Sequence, residues 1–301
     1  MGVAERGSST RAMSYIKALL AVAAWGASFV ATKIALRELT PIALVWARFT
    51  IGVVILGFLV LARGQLRPIS KSEFGYFLLL GFLGITFHQW LQSNALRTSQ
   101  ATTAGWIIAT IPLFIAILGR LFLREKLGRL GVVGILIAAF GVLLVIAKGN
   151  LRAIAIEWKG TPGDKLMLIS AVNWAVFSVL SRRGLKRNRP ALQMFYVMLL
   201  GWLLTTGLFA AGGFRGIGHL SGAGIGALLF LGIACSGFAF IFWYDALEQL
   251  DASHVGVFHY LGPVSTVVTA ALVLHERISP GTMAGGAIIL LGVWLVNWER
   301  E

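Results

Sequence analysis

The sequence is short of three things: cysteine, charge and hydrophilic length. A single cysteine, Cys235, excludes an internal disulfide and any cysteine-based metal site. It stands in an apolar run, where a buried and inert thiol is expected. Charged residues make up only 13% of the chain against 57% hydrophobic ones, and the mean hydropathy is +0.82. Ordinary soluble domains carry about 25% charged residues. Enzyme signatures are missing too. There is no glycine-rich phosphate loop followed by Lys-Ser/Thr, hence no ATP motor. No serine-centred elbow occurs, and His254 and His259 stand five apart, not at metal-binding helical spacing. No catalytic residue, metal or cofactor is expected. No segment has the length and small-residue cleavage site of a removed signal peptide.

What is present is apolar length. Ten blocks of about 20 residues, the length that crosses a bilayer core, run over 14–36, 41–62, 74–96, 101–123, 127–147, 165–184, 191–212, 222–247, 252–274 and 280–298. The predicted fold is therefore all-α and integral to a membrane, with ten transmembrane helices. The net charge of +14 would suggest nucleic acid in a soluble protein. Here the basic residues cluster in the loops, so no nucleic-acid partner is expected and the lipid bilayer is. With a cytoplasmic N-terminus, sixteen Lys and Arg fall inside and nine outside. That bias favours both termini in the cytoplasm.

The chain also repeats itself. At a shift of 151, Gly81 meets Gly232, Phe87 meets Phe238, Ala95-Leu96 meets Ala246-Leu247, Pro112 meets Pro263, Glu125 meets Glu276, and Gly134 and Gly141 meet Gly285 and Gly292. Upstream, Trp25 meets Trp174 and Pro41 meets Pro190 at a shift of 149. The reading is a cytoplasmic tail (1–13), a five-span repeat (14–147), an external linker (148–164) and a second five-span repeat (165–298). Because five is odd, the second copy enters the membrane the other way up. Inverted repeats of this kind characterise secondary transporters, which place the substrate at the midplane between the halves; some channels share them.

The order of several motifs resembles a known group. "AAWGASFVATKIAL" opens the first repeat and "WARFTIG", with Arg48, comes next. Each half then shows "AL", a proline some residues on, and a glutamate after its fourth span ("LREK", "LHER"). Over nearly the whole chain this resembles the drug/metabolite transporter superfamily with EamA-type repeats, and within it the bacterial aromatic amino-acid exporters. The resemblance implies ATP-independent export of small metabolites across the bacterial inner membrane. The second half departs from the pattern at Val197, where an arginine matching Arg48 is missing.

Candidate site residues are those that lipid would not tolerate. His88 lies near the middle of the third block, and Gln92 follows at i+4 on the same helix face. Polar groups at that depth face a bundle interior or an aqueous cavity, unless they only join helices. Their mates are Ala239 and Trp243. A symmetric structural bond would recur in both halves, whereas a substrate is asymmetric. Trp25 and Trp174 sit mid-span on the first helix of each half, where an aromatic face can stack on a flat solute or hold a cation. Asn173 offers a polar group beside Trp174. Trp106 is placed in an outer vestibule. Tyr244 and Phe258 are placed near inner span ends as gate or belt residues. The expected solute is an aromatic or other large neutral amino acid; a broad proton-coupled exporter of cationic drugs or other metabolites is the alternative, and a membrane scaffold or channel with no transport cycle is a third reading. Arg48 either meets a solute carboxylate or pairs within the bundle. Pro112 and Pro263 are expected to break their helices and serve as hinges. Gly134/Gly141 and Gly285/Gly292 are expected to pack spans five and ten against each other, or against a second copy in a homodimer. Glu125 and Glu276 are expected to favour the N-terminal end of the helix that follows each.

Overall fold

A computed structural model describes residues 2–122, 128–150, 160–185, 187–250 and 258–298. Among these residues the only regular elements are helices, joined by turns and loops, with one isolated bridge between Leu39 and Ile217. Eight helices are long and apolar enough to cross a membrane. After a helical N-terminal extension they are α1 (Ala12–Ala35), α2 (Pro41–Ala62), α3 (Lys71–Ala95), α4 (Ala101–Phe122), α5 (Arg129–Ile146), α6 (Pro162–Arg182), α7 (Pro190–Ala211) and α8 (Gly222–Trp243). Two shorter apolar helices follow, α9 (Phe258–Val273) and α10 (Pro280–Val296). The ninth helix is shorter than the expected span, which begins at residue 252, because 251–257 lie outside the described residues. Glu125 also lies outside them, as does much of the expected linker.

Local chemistry starts the helices where the sequence allows. Proline opens α2 and α7 at the first turn, where its missing N–H has no intrahelical acceptor to lose. Ser70 and Glu73 form a capping box at the start of α3. Ser221 caps α8 through the Gly224 N–H at 3.2 Å. Its own N–H and hydroxyl both donate to Glu38, and these bonds hold the Glu38 carboxyl below its ordinary value. Large apolar side chains such as Phe58 (73% exposed) and Leu272 (71%) point outward, as a lipid-facing surface requires.

The helix interiors contain two kinds of irregularity. The first is a proline break. The α4 segment stops at Ile108, turns at 109–110 and restarts at Ile111 with Pro112 in its new first turn. Pro263 lies in the first turn of the regular part of α9, after a short 3-10 turn at Phe258–Tyr260. The second is π-helix, at Phe82–Phe87 in α3 and Phe230–Phe238 in α8. A shift of 151 lays the first of these inside the second. Such segments release backbone carbonyls from the regular ladder, and one carbonyl in each accepts a side-chain bond, from α6 in the first case and from α1 in the second.

The glycines of α5 and α10 meet face to face. A Cβ at Gly134 would lie 2.7 Å from the Gly292 carbonyl oxygen, and one at Gly141 would lie 2.8 Å from that of Gly285. The glycine faces are thus occupied by each other within one chain and are not left for a second copy.

Candidate functional site

Two aromatic clusters form. Trp25, from α1, packs on Phe240 and Trp243 of α8, with ring centroids 5.3 and 5.5 Å away. His259 of α9 completes this cluster, 4.4 Å from Trp243 and nearly parallel to Trp25 at 6.2 Å. His259 as a residue stays exposed despite these contacts. Trp174, from α6, packs 4.5 Å from His88 of α3 and 4.7 Å from Phe177. One cluster thus joins α1 to α8 and α9, and the other joins α6 to α3. Trp25 and Trp174 stand 149 positions apart in the sequence, and the α3 and α8 segments they approach correspond at a shift of 151.

His88 is buried, with Nδ1 2.9 Å from the Ser170 hydroxyl. Gln92, one turn on, is half-buried, and its amide has no hydrogen-bond partner among the described residues. Asn173 is buried and donates to the Leu83 carbonyl at 2.8 Å, a group within the α3 π segment. The Trp25 indole donates to the Cys235 carbonyl at 3.0 Å, in the α8 π segment. Each tether holds an irregular stretch of backbone against a first helix.

The clusters are joined through Arg48. Its Nε donates to Ser236 Oγ at 3.1 Å, one residue from the carbonyl that holds Trp25. Its Nη1 donates to Gln89 Oε1 at 3.2 Å, one residue from His88. The guanidinium lies 5.0 Å from the centroid of the Phe49 ring. Arg48 is 7% exposed.

The remaining candidates fall elsewhere. Trp106 is 3% exposed and packed among α4, α5 and α10, its ring filling the slot left by Gly286, where a Cβ would lie 2.3 Å away. This is a packed interior position, not a vestibule wall. Phe258 packs on Tyr15 at 6.0 Å and groups with Trp243, at the edge of the Trp25 cluster. The Tyr244 side chain lies outside the described residues. No metal-binding cluster occurs among the described residues.

Polar ties bind the bundle at both ends. At one, Asp245 after α8 accepts from Lys17 of α1 at 2.8 Å and from Arg63 after α2 at 2.9 Å. At the other, Glu276 accepts from the Ala101 and Thr102 N–H groups at 2.9 and 3.1 Å and from the Thr102 hydroxyl at 3.0 Å, with Lys33 3.8 Å away. Glu276 thus caps a helix N-terminus, but that of α4 and not of the α10 helix that follows it. The α4 start presents two N–H groups to this loop, whereas α10 begins with Pro280, which has no N–H, and its Thr282 N–H already donates to Ser279 Oγ at 3.0 Å.

The described residues, helical with a lipid-facing apolar surface and a polar cluster buried between helices, define a multi-pass membrane protein. Two stretches, 12–147 and 161–298, match the model of the EamA-like transporter family, and the chain belongs to that family. An uncharacterized transporter of Archaeoglobus fulgidus is 31% identical over 278 residues, covering 92% of this chain and 94% of the relative. A probable terminal-alkyne amino-acid exporter of Streptantibioticus cattleyicolor is 26% identical over 280 residues, covering 93% and 91%. A protein of known crystal structure superposes with a TM-score of 0.67 at 22% identity, over 97% of each chain, and shows the same fold. The family and the Archaeoglobus relative are named as transporters, and the protein is not an enzyme.

Proposed function

We propose that this protein is a secondary transporter of the bacterial inner membrane. It exports small amphipathic metabolites, aromatic or other large neutral amino acids foremost, by alternating access about a cavity between its halves. The observation that carries the reading is the convergence of Trp25, Trp174 and His88 on two clusters joined through Arg48, with Gln92 left unpartnered beside them. Flat aromatic walls with a few fixed donors suit a planar solute with a polar end. The name of the Streptantibioticus relative supports an amino-acid cargo.

The inverted arrangement is supported by the two family matches and by the π segments at corresponding positions. The halves rock about the site, with the breaks at Pro112 and Pro263 as hinges and the loop-charge bias placing both termini in the cytoplasm. A carboxylate in the site would favour a cationic drug, and all five carboxylates with described side chains are engaged elsewhere. The test is efflux from proteoliposomes. His88→Ala and Trp174→Ala are each expected to lower amino-acid efflux about tenfold, the scale of one aromatic contact together with the area it buries, with folded protein retained in the membrane. Wild-type rates in both variants would remove the site.

A further inference from the structure

We infer that Arg48 is the receptor for the solute carboxylate, which narrows the cargo to carboxylate-bearing aromatic or large apolar molecules. The inference rests on the transporter reading and adds to it the chemical group by which the solute is chosen. Arg48 is a guanidinium buried inside α2, and both its hydrogen-bond partners, Ser236 and Gln89, are neutral. Arginine has five N–H donors; two are used here, and the Nη2 end donates to no acceptor among the described residues. No carboxylate with a described side chain is free to pair with it. Glu38 is bonded to Ser221, Glu73 to Arg67, Asp164 to Ser99, Asp245 to Lys17 and Arg63, and Glu276 to the start of α4. A buried cation without an anion is costly unless something supplies one. The planar fork matches a carboxylate, which can accept two parallel N–H bonds.

The surroundings select the apolar part of the solute. Through Ser236 and Gln89 the guanidinium is held between the Trp25 and the His88/Trp174 clusters, so an anion on Arg48 leaves its apolar remainder beside an indole. Repeat asymmetry agrees: the mate of Arg48 is Val197 and the mate of Gln89 is Phe240. The fork therefore occurs once, as one substrate requires.

The test uses purified full-length protein and its melting temperature with phenylalanine, 3-phenylpropionate, phenylalaninamide, phenethylamine or sodium chloride. Phenylalanine and 3-phenylpropionate are expected to raise it. Phenylalaninamide is expected to need about ten- to hundred-fold higher concentration for the same shift, the range set by one charge-assisted interaction. Arg48→Gln is expected to erase the difference between acid and amide while keeping weak binding of both. Equal stabilisation by acid and amide in the wild-type protein overturns the assignment without needing any variant, and leaves an aromatic transporter standing. So does an Arg48→Gln protein that still prefers the acid. Stabilisation by chloride equal to that by 3-phenylpropionate would reassign Arg48 to a simple anion. No stabilisation by any aromatic compound overturns both this inference and the amino-acid reading.

Discussion

Replacing Glu276 by Gln tests whether the tie between α4 and the α9–α10 loop holds one end of the bundle closed. The carboxylate takes two backbone N–H groups and one hydroxyl at the start of α4, and its side chain is 10% exposed. Glutamine keeps the shape and one acceptor oxygen. It turns its amide N–H₂ toward donors and removes the negative charge. Loss of charge-assisted bonding costs about 1.5–3 kcal/mol, and loss of the interaction with the helix N-terminus costs about 0.3–1 kcal/mol more. The Lys33 pair at 3.8 Å is long and partly exposed, so nothing is added for it. A total of roughly 2–4 kcal/mol shifts a closed–open equilibrium by roughly 30- to 700-fold. Cys235 is the natural reporter: it is the sole cysteine, it is fully buried, and its thiol lies 3.3 Å from the Ala24 carbonyl at the α1–α8 contact. Maleimide alkylation followed by intact-mass measurement is expected to be slow in the wild-type protein and at least about tenfold faster in the Gln variant. Equal labelling rates and equal melting temperatures would refute the latch.

Asp245→Asn unpairs Lys17 and Arg63 at the opposite end and is expected to speed Cys235 alkylation as well, from the other side of the bundle; unchanged labelling would make that ion cluster structural only. Gly141→Val places side-chain atoms against the Gly285 carbonyl oxygen and the Ile289 nitrogen, both 2.8 Å from the new Cβ. Backbone atoms cannot rotate away, so a loss of about 1–3 kcal/mol or more is expected, seen as a lowered melting temperature. Gly207→Ala, where a Cβ meets nothing within 4 Å, should melt like wild type. Glu38 carries a depressed pKa because Ser221 donates two bonds to it. Its contribution to stability is present above its ordinary value of 4.5 and is lost as pH falls below that toward the depressed value. The acid-side fall in melting temperature should therefore shrink in Glu38→Gln; an identical fall would remove Glu38 as its source.

The parts of this fold written along the chain are legible without coordinates. A bilayer imposes a length, so apolar blocks mark helices. Proline cannot continue a hydrogen-bonded helix, so Pro112 marks the break at 109–110. The seven-residue glycine spacing in α5 and α10 marks a close contact, although the partner, α10 in the same chain, needed the structure. His88 and Trp174 stand out by their misfit to lipid, and they do touch. Convergence from distant helices is not written along the chain. His259 is noted in the sequence only to be set aside as a metal ligand, and Gln89 draws no attention. The repeat comparison that singles out His88 finds both, since their mates are Ile108 and Phe240. Trp106 misleads because its depth in the span says nothing about its facing; Gly286 on a helix 180 positions later draws it into the core. The π segments leave no signal that hydropathy reads.

The most direct test of the account is efflux from proteoliposomes holding the purified protein and loaded with radiolabelled phenylalanine, tryptophan, threonine or a quaternary amine, with and without an imposed pH gradient. Release of phenylalanine and tryptophan well above that from protein-free vesicles is expected, with the amine retained. Release of the amine alone, under a pH gradient, would contradict it.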